Sequence, residues 1–216
     1  MREAIIQKIL DQKLIAIVRG LAGGQIVPLA KALLAGGISL IEVTFDQAEP
    51  DSFMETARAI AAIREACGEA VSAGAGTVMT PEQLRMAYDA GAGFIISPNV
   101  DEAVITETRK LGLVSLPGCM TPTECAAAHS YGADFIKVFP AAALGPGYIK
   151  ALRAPLSHLK FMAVGGVDIY NIPDFLRAGA MGFGVGGSLV DQKLIAAGRF
   201  GEITDLAREY RKACGL

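Results

Sequence analysis

The chain has 216 residues, 52% of them hydrophobic, with 25 glycines, a length and composition suited to one domain around one large core rather than to two. A formal net charge of −2 with no block of Lys or Arg argues against nucleic acid or an anionic membrane as a partner. No apolar run approaches the length of a membrane span, and the opening MREAIIQKILDQK lacks the apolar stretch and cleavage site of a signal peptide, so a soluble, cytoplasmic protein is expected.

Those opening residues carry the spacing of an amphipathic helix that precedes the first strand. Strand candidates then follow at residues 14–20, 40–45, 70–78, 94–99, 113–118, 134–140, 161–167 and 182–190. The intervening segments show helical spacing and often end at glycine, so a helix separates each strand from the next. That order requires a parallel sheet covered by helices. Eight such units at this length favour a closed (β/α)8 TIM barrel over residues 1–216, with the first helix as an extra cap.

The cysteines, Cys67, Cys119, Cys125 and Cys214, are scattered without a C-x-x-C pair, and the two histidines, His129 and His158, fall in a helical pattern and a loop-like segment. Reduced thiols are expected, with no metal site and no Ser-His-Asp triad.

In a barrel of this kind chemistry collects where the strands end. Three of the strand candidates hold one charged residue each near that end: Arg19, Glu42 and Lys137. Lys137 sits in DFIKVFPA, between Ile136 and Val138, where an ammonium costs several kcal/mol (order of magnitude) unless it is paired or gives up its proton. Alternation along the strands lets all three side chains point into the barrel mouth. A buried ion-pair network would account for the same residues without chemistry. The chemical reading uses each of them: an amine with a lowered pKa to attack a ketone, a carboxylate to move a proton, and a guanidinium to hold a carboxylate by two hydrogen bonds. Together they suit cleavage of a carbon–carbon bond in a 2-keto acid.

A second cluster concerns phosphate. Gly165 and Gly166 end the seventh strand candidate, and Gly186, Gly187 and Ser188 lie in the eighth. Loops after the last two strands are the recurrent phosphate site of this barrel class, although glycines there also serve tight turns alone. The run GAGTV at 74–78 is the weaker signal, since glycine in a strand also marks close packing.

The motifs IAIVRG, LIEVTF, GAGTV, FIISPN, PGCMTPTE, FIKVFPA, GPGYIKAL, VGGV and GVGGSLV run in order through nearly the whole chain. In that set and order the chain resembles the 2-keto-3-deoxy-6-phosphogluconate (KDPG) and 4-hydroxy-2-oxoglutarate (KHG) aldolases. The resemblance implies a class I aldolase without cofactor on a homotrimeric barrel, with Lys137 as the Schiff-base lysine and Glu42 as the acid/base. It further implies Arg19 and Thr77 as contacts on the carboxylate side, Pro98, Pro117 and Phe139 as pocket lining, and Gly165, Gly166, Gly187 and Ser188 as the phosphate cradle. Two positions depart from the commonest pattern: Asp46 stands where some members have arginine, and Val164 replaces the threonine that usually precedes the paired glycines in the gluconate branch. AVGGV resembles the branch acting on the C4 epimer, 2-keto-3-deoxy-6-phosphogalactonate, which makes Val164 a candidate specificity residue. A non-catalytic barrel carrying pyridoxal phosphate would also use a buried lysine and a phosphate cradle, but has no need of Glu42 and Arg19. A metal-dependent aldolase or epimerase would call for His and carboxylate ligands at the strand ends, and a purely structural protein would leave the three charges unexplained.

Overall fold

The computed structural model describes residues 2–21 and 23–216. Met1, the first residue of the expected helix and of the expected 1–216 barrel domain, and Ala22 lie outside the described residues. In chain order the elements are α1 (Arg2–Gln12), β1 (Leu14–Val18), α2 (Ile26–Ala35), β2 (Leu40–Thr44), α3 (Phe53–Cys67), β3 (Ser72–Gly76), α4 (Pro81–Asp89) and β4 (Phe94–Ile96). Then come α5 (Glu102–Lys110), β5 (Val114–Leu116), β6 (Gly118–Cys119), α6 (Pro122–Ser130), β7 (Ile136–Val138), α7 (Ala141–Leu144) and α8 (Pro146–Arg153). The chain finishes with β8 (Phe161–Val164), α9 (Ile172–Ala178), β9 (Gly182–Val185), α10 (Gln192–Ala196) and α11 (Phe200–Ala213). Several helices begin where short polar side chains take up free backbone donors. Thr80 accepts from the Gln83 N–H and Asp101 from the Val104 N–H, and Thr121 with Glu124 forms a capping box, with proline opening α4 and α6.

Among the described residues, nine parallel strands pair in the order β5-β4-β3-β2-β1-β9-β8-β7-β6. One expected strand is two: Pro117 has no N–H to give a neighbour, and it divides residues 114–119 into β5, which pairs with β4, and β6, which pairs with β7. Because those halves are continuous in the chain, the sheet closes into an eight-position α/β barrel. The expectation of a (β/α)8 barrel holds, and its fifth strand is split.

Apolar side chains form two clusters. The larger lies between strands and surrounding helices. The smaller fills the barrel with Ile15, Leu40, Phe94, Val114, Phe135 and Met162, and joins Ile5 and Ile9 of α1. The first helix therefore plugs the end of the barrel at which the strands begin, as a cap should. Asp134, beside the start of β7, pairs with Arg2 of α1 and Arg109 of α5, which ties the plug in place. Large and small residues alternate across the interior: a Cβ on Gly74 would overlap the Phe94 ring. The packed floor leaves the other end, where the strands finish, as the place for a site. All four cysteines are free thiols, and among the described residues no helix is long and apolar enough to cross a membrane.

Candidate active site

Glu42 is the third residue of β2 and Lys137 the second of β7, and both side chains are buried, at 2% and 7% exposure. Glu42 stands level with Ile17 of β1 and Gly74 of β3. Lys137 stands level with Gly118 and Met162, and its N–H donates to the Pro117 carbonyl at 3.0 Å. The floor of apolar side chains lies beneath this polar layer.

Burial dominates the electrostatics of both groups. It pushes the Glu42 carboxyl above the usual carboxylate range, against the pull of the Lys137 and Arg19 charges. Burial likewise pulls the Lys137 ammonium below the ordinary lysine value; Glu42 opposes that shift and Arg19 adds to it. An amine held in this way loses its proton more readily than a surface lysine and is available as a nucleophile. Glu42 Oε2 is buried and has no hydrogen-bond partner among the described residues. An orphaned carboxylate oxygen beside a desolvated amine has its partner position open to a third group, which is the situation of a catalytic base awaiting substrate or water.

Gly76 makes the placement of Glu42 possible. A Cβ there would overlap Glu42 Oε1 and come within 2.6 Å of its Cγ. The glycine run at 74–78, the weaker signal in the sequence, is thus close packing against the carboxylate itself. Thr77 follows with φ +55, a left-handed backbone conformation uncommon for a β-branched residue, and its carbonyl accepts from Gln47 Nε2 at 2.8 Å.

Arg19 differs from expectation. It lies just beyond β1, which ends at Val18, and is exposed on the rim, with its carbonyl held by Gln192 Nε2 at 3.0 Å. Its charge nevertheless reaches both buried groups. A rim position suits a residue that meets the charged end of an incoming molecule.

Of the expected lining residues, Phe139 and Pro117 adjoin Lys137, and Pro98 lies one strand away against Gly118. Phe139 leaves β7 with its ring centroid 5.0 Å from Lys137 Nζ, and a Cβ on Gly165 would stand 3.0 Å from that ring. Pro98 follows β4 and approaches Gly118 so closely that a Cβ there would overlap the Pro98 carbonyl; Pro117 separates β5 from β6. Val164 ends β8, is buried, and stands level with Gly184, whose missing Cβ leaves room for it.

The two glycine loops meet beside this wall. Gly165 and Gly166 have φ of +93 and +71, which glycine adopts without strain. The carbonyls of Gly165, Gly166 and Val167 accept from Ala142 N–H at 2.9 Å, Asn171 Nδ2 at 2.9 Å and Ser188 Oγ at 3.4 Å. In a trans peptide the N–H points opposite to the carbonyl, so the Gly166 and Val167 N–H groups turn away from the donors behind the loop. In the neighbouring loop the Gly186 carbonyl accepts from the N–H groups of both Leu189 and Val190. Among the described residues, the N–H groups of Gly166, Val167, Gly187 and Ser188 have no protein acceptor. Backbone donors left free in two adjoining loops, joined by the Ser188 Oγ to Val167 carbonyl contact, are the kind of group that can receive an anion.

Two hollows lie elsewhere on the molecule. A groove of about 700 Å³ runs between α4 and α5, and a cavity of about 260 Å³ lies near Asp134 at the plugged end. Neither includes Glu42 or Lys137, and the site is located by its charge chemistry. No group of three His, Cys, Asp or Glu side chains among the described residues is arranged to hold a metal ion.

Several positions escaped the sequence reading. The role of Gly76 as space for Glu42 was invisible without knowing which way β2 faces. Asp168 and Asn171, in the loop after the paired glycines, exchange backbone-to-side-chain hydrogen bonds of 3.0 Å in both directions. The D-x-x-N spacing in DIYN was the available signal for that turn.

A parallel barrel with a desolvated lysine and carboxylate on its strands and unpaired backbone N–H groups in the loops that follow fits the class of barrel aldolases that work through a lysine. The family described as "Aldolase: KDPG and KHG aldolase" matches residues 5–206, and the chain belongs to it. It is 39% identical over 181 residues, 83% of this chain and 82% of the relative, to a probable 2-dehydro-3-deoxy-6-phosphogalactonate aldolase of Rhizobium meliloti (strain 1021). It is 37% identical over 192 residues, 88% of each chain, to a 2-dehydro-3-deoxy-phosphogluconate aldolase of Treponema pallidum (strain Nichols). Among solved structures, a KDPG aldolase from Legionella pneumophila, with pyruvate captured as a covalent carbinolamine intermediate, superposes with a TM-score of 0.84 at 27% identity. The match covers 94% of this chain and 96% of that one.

Proposed function

We propose that the chain cleaves 2-keto-3-deoxy-6-phosphogluconate to pyruvate and glyceraldehyde 3-phosphate through a Schiff base on Lys137, with no metal or organic cofactor. One observation carries the reading: in a KDPG and KHG aldolase, the lysine of β7 is buried at the barrel mouth, with its pKa lowered by burial, beside a carboxylate that lacks a hydrogen-bond partner.

The neutral Lys137 amine adds to the C2 ketone, and loss of water leaves an iminium that accepts electrons. Glu42 takes the proton of the C4 hydroxyl, directly or through a water. The C3–C4 bond breaks, its electron pair moves into the iminium to give an enamine, and the aldehyde leaves. Glu42 returns the proton to C3, and hydrolysis releases pyruvate and the free lysine. Arg19 and Thr77 take the substrate carboxylate, Pro98, Pro117 and Phe139 exclude water, and the cradle of Gly165, Gly166, Gly187 and Ser188 anchors the phosphate. 4-Hydroxy-2-oxoglutarate, cleaved to pyruvate and glyoxylate, fits the same chemistry without the anchor.

A second reading has the galactonate epimer as substrate. Val164 favours it, and relatives at 39% and 36% identity carry that activity in their names. Family membership speaks for cleavage over a pyridoxal-phosphate-carrying barrel. We further propose a homotrimer, as the family resemblance implies, and a cytoplasmic location, which suits four free thiols. The test supplies each of the two pure phosphorylated epimers and 4-hydroxy-2-oxoglutarate and measures pyruvate release. Release from a phosphorylated epimer in the presence of a chelator is expected; activity that vanishes with EDTA and returns with zinc or magnesium would overturn the reading.

A further inference from the structure

The cradle proposed above for phosphate is made of backbone, so something must hold its peptides in the binding orientation. Two consecutive residues with positive φ, Gly165 and Gly166, form a flexible stretch with many alternatives open to it. Asn171, at the start of α9, makes two contacts on this stretch. Its Nδ2 donates to the Gly166 carbonyl at 2.9 Å, and its Oδ1 accepts from the Asp168 N–H at 3.0 Å. The first bond fixes the plane of the peptide joining Gly166 to Val167, whose N–H, opposite the bonded carbonyl, is one of the free cradle donors. The second fixes the far end of the loop. Asn171 is itself held from behind, its N–H donating to Asp168 Oδ1 at 3.0 Å.

We infer that Asn171 is a positioning residue for phosphate: by its side-chain amide bond to the Gly166 carbonyl it aims the Val167 N–H at the substrate's phosphate without touching the substrate. The inference rests on the phosphate reading and adds a residue to it. Geometry sets its specificity. Asn171 acts on the cradle proposed for the substrate's phosphate, a group 4-hydroxy-2-oxoglutarate lacks, and lies outside the Lys137 and Glu42 machinery.

The experiment compares the parent with Asn171→Ala and Asn171→Ser on the phosphorylated epimer and on 4-hydroxy-2-oxoglutarate, with inhibition by inorganic phosphate as a third measurement. A serine hydroxyl can accept from the Asp168 N–H, as in the turns that Ser shares with Asn, but is too short to reach the Gly166 carbonyl. A hydrogen bond to a charged group is lost when the peptide turns, so both variants should raise KM for the phosphorylated substrate about 10- to 100-fold. The phosphate inhibition constant should rise by a similar factor, with kcat within about twofold and the unphosphorylated substrate cleaved at close to the parental kcat/KM. That last reaction also reports that the variants fold. If Asn171→Ser behaves as the parent, or both substrates suffer equally, the inference is overturned and Asn171 only shapes the turn. If the parent's cleavage of the phosphorylated substrate is indifferent to inorganic phosphate, the phosphate reading falls and takes the inference with it.

Discussion

Gly76→Ala adds one methyl group and should cost catalysis through a residue on another strand. The new Cβ would overlap Glu42 Oε1 and stand 2.6 Å from Cγ. An ordinary carbon–carbon contact is about 3.5 Å, so Cγ alone must retreat by about 0.9 Å, and the carboxylate oxygen by more. Misplacing a reacting group by about 1 Å costs about 100-fold in rate. Overpacking of this kind destabilises by about 1–3 kcal/mol, or roughly 2–12 °C of melting temperature for a domain of this size. The assay is pyruvate release under saturating substrate, together with the rate at which borohydride traps the pyruvate imine. Turnover should fall about 100-fold while trapping, whose nucleophile is Lys137 and whose carbon–carbon bond is never cut, stays within a few-fold at a pH above the acidic limb. Since the methyl group acts through Glu42, Gly76→Ala combined with Glu42→Gln should be little worse than Glu42→Gln alone. Parental turnover in Gly76→Ala, or additive losses in the double variant, would refute this account of Glu42.

Imine formation requires the neutral amine, so its rate falls as pH drops through the Lys137 pKa. Because the Glu42 charge raises that pKa and the Arg19 charge lowers it, Glu42→Gln should move the acidic limb of pyruvate trapping to lower pH and Arg19→Gln to higher pH; shifts in the same direction would contradict the electrostatic arrangement. Val164→Thr restores a group able to hydrogen-bond the substrate's C4 hydroxyl, a contact worth about 1–3 kcal/mol, and should raise the gluconate-to-galactonate ratio of kcat/KM roughly tenfold to a hundredfold. An unchanged ratio, measured with the two pure epimers, would release Val164 from that role. Ser188→Asp puts a negative charge in the cradle and should weaken phosphorylated substrates far more than 4-hydroxy-2-oxoglutarate, as read from the two KM values; equal losses would place the phosphate elsewhere.

Much of the barrel was legible in the chain because strands buried on both faces read as short apolar runs and the helices between them as amphipathic ones. Lys137 and Glu42 were legible for the converse reason: a charge inside such a run has no ordinary explanation. The break at Pro117 was not, since the proline sits in LVSLPG at what reads as a strand's end, and only the partners of its two sides reveal one barrel position served by two segments. Arg19 read as part of the first strand because VRG continues the apolar run, yet the chain leaves the sheet one residue earlier. Gly76 and Asn171 act through neighbours distant in sequence or through a backbone plane. A one-dimensional pattern holds neither kind of information.

The central claim is a covalent bond between substrate carbon and Lys137. Reducing the protein with borohydride in the presence of pyruvate and mapping the modified peptide tests it most directly. The account predicts one reduced adduct on Lys137, none without pyruvate, and neither adduct nor cleavage in Lys137→Ala. An adduct on Lys150 or Lys160 instead, or a Lys137→Ala protein that still cleaves the phosphorylated keto acid, would contradict it.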